Sequence, residues 1–206
     1  MNTKTLDTLD PEKIERIKKT IEYVIKKIDY FDLVEEKAIP EGLKLIARSV
    51  SWIVEQVMVQ NIRKYQNELE IEQVTDPPHN LTQYDCIIRY NDDPKKYYVN
   101  IKTSLSKTTH ESRFDISKAP RLIDFYESES DLALIIAIIK IDIVKNKVIL
   151  RNAIVFNVAW ISDIYYNRAN HNLQSSCDGK QMIRSNEEFI GILKEKVKEK
   201  GHTKHY

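Results

Sequence analysis

Apolar residues first recur at helical spacing, then give way to runs that alternate or are continuously apolar. Ile14, Ile17, Ile21, Val24, Ile25 and Ile28 fall three or four residues apart, with Lys and Glu filling the other face. Asp10 before Pro11 supplies an N-cap and a first helical residue, so a helix is expected there. A second helix is expected from about Pro40 and Glu41 to Tyr65. Its stripe is Leu43, Ile46, Val50, Ile53, Val54, Val57 and Ile62, interrupted by Glu55. Residues 69–74 alternate like a half-buried strand. The β-rich runs 84–90 and 97–104 bracket Asn91-Asp92-Asp93-Pro94-Lys95-Lys96 and predict a hairpin. The polar stretch 103–118 leads to a short helix near 122–126. Residues 132–139 and 141–144 read as strand, 145–147 as a turn and 148–158 as strand. Residues 162–185 read as a long loop or short helices, and Asn186 opens a last helix to about Lys200. This order predicts an α/β domain with helices flanking a mixed sheet.

Composition narrows the picture. Of 206 residues, 42% are hydrophobic, enough for one core, so a single domain over 1–206 is expected. It divides into N-terminal helices (11–66), a core (69–160) and a C-terminal loop and helix (161–206). The longest apolar run, 132–139, suits a buried strand and is too short to span a bilayer. The N-terminus lacks the apolar stretch of a secretory signal. With 31% of residues charged a soluble protein away from membranes is expected, and Cys86 and Cys177 give no disulfide framework, which fits a reducing cytoplasm. The four glycines, at 42, 179, 191 and 201, cannot assemble a dinucleotide-binding or Walker-type loop, so no nucleotide cofactor is expected. Net charge is +1, with 12 Lys/Arg against 15 Asp/Glu over 1–84 and 7 against 4 over 131–185. The five histidines (79, 110, 171, 202, 205) lack the spacing of a zinc site. Asn170-His171-Asn172 faintly matches a His-Asn nuclease motif, but no partner histidine or acid frames it. Trp52 and Trp160 are expected in the core.

The hairpin carries the chemistry. It brings the carboxylate of Asp85, at the start of one strand, toward the amine of Lys102, at the end of the next. An acid that holds a metal beside a lysine that polarises water suits phosphodiester cleavage. Each residue also has a plainer reading: Asp85 as a turn residue, Lys102 as a solvated strand end, Glu55 as a partner of Arg48 or Arg63.

Glu55 inside an N-terminal helix, Tyr84-Asp85 opening a strand and Val99-Asn100-Ile101-Lys102-Thr103-Ser104 closing the next form a pattern. It resembles the PD-(D/E)xK nuclease superfamily, and within it type II restriction endonucleases of the EcoRV kind, over roughly residues 45–105. The resemblance implies a restriction-endonuclease-like fold and a Mg²⁺ cofactor. It makes Asp85, Glu55, Asn100 and the Ile101 carbonyl the metal ligands. Lys102 would orient or help deprotonate the attacking water, with Thr103 and Ser104 beside the scissile phosphate. Asn100 departs from the pattern, which has Asp or Glu there. Three explanations stand: Asn100 is a neutral ligand, another acid (Glu55, Glu72 or Glu111) takes the role, or the domain binds DNA without cutting it. One or two carboxylates suffice for Mg²⁺ when waters and phosphate complete the octahedron.

The resemblance further implies double-stranded DNA as partner and a homodimer for cutting both strands of a symmetric site. Two segments have the side chains to contact it: 104–113, with Lys107 and Arg113, and 167–176, with Arg168, Asn170, His171, Asn172 and Gln174. Either could equally be an ordinary polar surface loop.

Overall fold

The computed structural model describes residues 10–35, 37, 46–79, 82–107, 113–129, 132–176 and 180–199. Its elements run α1 (Pro11–Ile28), β1 (Tyr30–Asp32), α2 (Ala47–Lys64), β2 (Ile71–Thr75), β3 (Cys86–Tyr90), β4 (Asp93–Leu105), β5 (Arg113–Lys118), α3 (Ala119–Ser128), β6 (Ala133–Val144), β7 (Lys147–Asn157), β8 (Tyr165–Asn167), β9 (Asn172–Ser176) and α4 (Asn186–Lys198). The expected helix start at 40–45 with Leu43, loop residues 108–112 with His110 and Glu111, Asn80, Cys177, and 200–206 with His202 and His205 lie outside the described residues.

Six strands form one mixed sheet in the order β1-β7-β6-β4-β3-β2, and a second sheet is β5-β9-β8. Among the described residues only β4 and β6 pair in parallel, which requires the crossover through β5 and α3. Strand β6 explains its own apolar run. Every residue from 132 to 141 is buried, and a strand covered on both faces has no polar side to alternate with. Helix α1 starts as expected, with Asp10 Oδ1 accepting from the Glu12 N–H at 2.9 Å. It buries Ile17, Ile21 and Val24 completely and packs on β7. Helix α2 buries Val50, Val54, Met58 and Ile62 and lies over β4. No helix among the described residues is long and apolar enough to cross a membrane.

The structure departs from expectation in several places. The hairpin turn has two residues, not six, because Tyr90 already pairs with Asp93. Asp93 is drawn inward by three donors: Tyr97 Oη and Lys13 Nζ, both at 2.6 Å, and the Lys95 N–H at 3.1 Å. Residues 30–32 form a short strand against β7. The polar stretch 103–118 holds the end of β4 and all of β5, while 162–185 holds β8 and β9 instead of short helices. Strand β9 alternates Leu173 and Ser175 inward, too few apolar positions to announce itself. Asp163 fixes its end by accepting from Ser175 Oγ (2.6 Å) and the Ser176 N–H (3.0 Å). Trp160 is core, but Trp52 is 69% exposed, so the core reading of Trp52 is wrong. It lies on the outward side of α2, between the buried positions Val50 and Val54.

Candidate active site

Alternation along β4 puts Asn100 and Lys102 on one face, with Val99 and Ile101 buried on the other. Asp85 sits just before β3, where the antiparallel ladder ends. Its N–H donates to the Val99 carbonyl at 2.8 Å, and its Oδ2 accepts from the Ile101 N–H at 2.6 Å. The N–H and C=O of one strand residue point to the same edge. The Ile101 carbonyl is therefore aimed at the edge that Asp85 occupies. From above, α2 offers Arg48, Ser51 and Glu55, spaced to share one side of the helix. With Lys102, Thr103 and Asp115 they line an open cleft of about 600 Å³.

The charges in this cleft act on one another. Burial pushes the Asp85 carboxyl up, opposed by the Ile101 N–H and by Lys102. Glu55 is pushed up to about 7, first by burial and then by the Asp85 carboxylate, with Lys102 working the other way. Burial lowers the Lys102 ammonium, while Asp85, Glu55 and Asp115 each favour its charged form. Three carboxylates thus lie within electrostatic reach of one lysine.

Of the plainer partners of Glu55, Arg48 lines the same cleft without pairing with it, and Arg63 is otherwise placed. Arg63 pairs with Asp76 at 2.7 Å and bonds Gln60 Oε1 at 2.9 Å, and among the described residues Glu55 forms no ion pair. Of the other acids weighed for the role missing at position 100, Glu72 pairs with Arg89 at 2.7 Å, and Glu111 is not among the described residues. Asn100 itself donates from Nδ2 to the Gln83 carbonyl at 2.8 Å.

The Asp85 carboxylate and the Ile101 carbonyl at one strand edge, with the Glu55 carboxylate on the helix above, are hard oxygen donors, the kind Mg²⁺ takes. Both carboxyl groups are held above their ordinary range, and a divalent cation would relieve that. Among the described residues no group of three or more His, Cys, Asp or Glu is placed to hold a metal.

The expected DNA-contacting residues divide. Thr103 lines the cleft, and its Oγ1 is buried without a hydrogen-bond partner. Ser104 also lines it and accepts from Lys140 Nζ at 3.2 Å. Lys107 is exposed beyond the end of β4. Arg113 stacks on Tyr165, 4.2 Å from the ring centre, and lies 3.7 Å from Asp163. Asn170 and His171 build the β8–β9 turn. Asn170 Oδ1 accepts from the Asn172 N–H at 3.1 Å, and His171 takes a left-handed φ of 58° with Nδ1 bonded to Tyr166 Oη at 2.6 Å. Asn172 pairs in the ladder, and Arg168 donates to the Glu199 carbonyl in a separate cavity. Gln174 Nε2 donates to Asp115 Oδ1 at 2.6 Å. The side chains of Asn170, His171 and Gln174 are therefore engaged within the protein.

Sequence reasoning missed Asp115 and Lys140. Asp115 sits in a polar stretch with no strand signal. Lys140 is buried within the apolar run of β6, and one lysine among isoleucines there was the available hint.

No family model matches the chain, and no curated protein matches it. Among solved structures it is similar to the NlaIV restriction endonuclease, with a TM-score of 0.52 and 14% sequence identity. The match covers 92% of this chain and 80% of that one. The fold is therefore restriction-endonuclease-like, a mixed sheet flanked by helices.

Proposed function

We propose that this chain is a single-domain, Mg²⁺-dependent type II restriction endonuclease that hydrolyses double-stranded DNA at a short palindromic site. One observation carries the reading: Glu55 on α2 and Lys102 on β4 line one cleft, and the Asp85 carboxylate just before β3 is close enough to act on both. The fold likeness supports it. Asp85, Glu55 and the Ile101 carbonyl hold the metal, and Asn100 contributes at most a neutral oxygen beside them. When bound, Mg²⁺ offsets the charge that develops on the phosphate.

The chain's own groups do the rest. Lys102 orients the attacking water and faces the phosphate as a cation. Its burial weakens competition from bulk water for that contact. Thr103 Oγ1, a buried hydroxyl with no partner, donates to a phosphate oxygen, and Ser104 with Lys140 behind it stands alongside. The water oxygen bonds to phosphorus, one phosphorus–oxygen bond to the sugar breaks, and the leaving oxygen takes up a proton. Cutting both strands calls for two copies related by a two-fold axis.

Digestion of plasmid DNA with Mg²⁺ tests this. Discrete fragments are expected, with Asp85→Ala and Lys102→Ala each losing about 100-fold or more in rate. Cleavage retained in Lys102→Ala counts heavily against the assignment. Cleavage without discrete fragments points to a repair or junction-resolving nuclease. The uncharged Asn100, tied to Gln83, favours one further reading, a DNA-binding domain that does not cut. Duplex binding with no cleavage in either Mg²⁺ or Mn²⁺ would establish it.

A further inference from the structure

The residue two before Lys102 on the same face of β4 is the neutral Asn100, so the acids around the lysine come from outside β4, Glu55 on α2 and Asp85 before β3 among them. The amide of Asn100 is moreover turned to the Gln83 carbonyl. Another acid enters from outside the six-stranded sheet. Asp115 lies on β5, in the small sheet, and shares the cleft with Lys102 and Glu55. Directly across the β5–β9 ladder its partner is Gln174, whose Nε2 donates to Asp115 Oδ1 at 2.6 Å. The ladder shifts register between Asp115 and Ser117. Such irregularities bend a strand and re-aim its side chains, often beside active sites.

We propose that Asp115 is a positioning residue for Lys102, held by Gln174, so that the small sheet sets where the catalytic ammonium points. The inference rests on the nuclease reading and extends it. Asp115 acts through Lys102 and takes no part in holding the metal. Removing its charge misdirects the lysine and slows the chemical step, while duplex binding is left as it was. Gln174 matters only through Asp115, so its loss is smaller and disappears once Asp115 is neutral.

The test is single-turnover cleavage of a duplex at saturating protein, with duplex affinity measured separately by fluorescence anisotropy. Asp115→Asn is expected to lower the rate about 10- to 100-fold and to leave affinity within about twofold. Asp115→Glu should recover part of the rate. Gln174→Ala should lose less, and should lose nothing further in the Asp115→Asn background. An Asp115→Asn protein that cuts at the wild-type rate overturns the inference and leaves the nuclease reading standing. So does a loss that lies entirely in duplex affinity, or losses at 115 and 174 that add in full. Wild-type protein that leaves every duplex intact removes the nuclease reading and this inference with it.

Discussion

At Glu55, burial and the Asp85 carboxylate favour the protonated form until about pH 7, against an ordinary value of 4.5. The folded state therefore binds that proton more tightly than the unfolded chain does. The stability it contributes is full below about pH 4.5 and is lost as pH rises through about 7. Metal-free Glu55→Gln should accordingly melt above wild type at pH 8 and beside it at pH 4. An equal difference at both pH values, by calorimetry or circular dichroism, would refute this. If Glu55 is a metal ligand, as proposed, a divalent ion competes with that proton, and Mn²⁺ affinity by titration calorimetry should weaken as pH falls below 7. Asn100 yields a second expectation. Asp at this position loses the donor to the Gln83 carbonyl and sets an anion against it. Asn100→Asp should therefore destabilise the metal-free protein by about 1–3 kcal/mol, and Mg²⁺ should restore part of that if position 100 faces the ion. Asp85 and Lys102 could be found in the sequence because one short hairpin carries both. Asp115 could not, since its place depends on a strand partner some sixty residues later.

Among the elements, the β3–β4 hairpin is held by side chains as much as by its ladder. Asp93, 7% exposed, joins α1 through Lys13 and the strand through Tyr97. Asp93→Ala leaves a buried tyrosine hydroxyl without its acceptor and should lower unfolding free energy by about 1–3 kcal/mol in a denaturant titration. The sequence marked this segment as a turn because Asp and Pro are turn residues. The role of Asp93 as a buried anchor rests on Tyr97 together with Lys13 of α1, packed from eighty residues away. Long periodic elements such as α1 and β6 were legible for the opposite reason, since their own repeat reports the face they bury. Helix α2 was legible as a helix, but its stripe gave no sign that Trp52 lies outside it. Two-component quenching by acrylamide is expected, with one accessible indole that vanishes in Trp52→Phe and one protected indole from Trp160. A single protected population would contradict the 69% exposure of Trp52.

Taken whole, the molecule is two sheets that meet at one cleft. The larger sheet supplies Lys102, with Asp85 held just before β3, α2 supplies Glu55 from above, and the smaller sheet supplies Asp115. The mixed sheet with flanking helices could be read from the order of elements. The small sheet could not, because β5, β8 and β9 are short, polar and scattered along the chain. Strand β4 also has its flank on β6, which arrives only after the crossover through β5 and α3. During translation, therefore, the acids and the lysine emerge well before the strand that holds them in place. A ribosome-bound fragment ending before Ala133 lacks that brace, so whatever chemistry the cleft performs is withheld until synthesis has passed its own site.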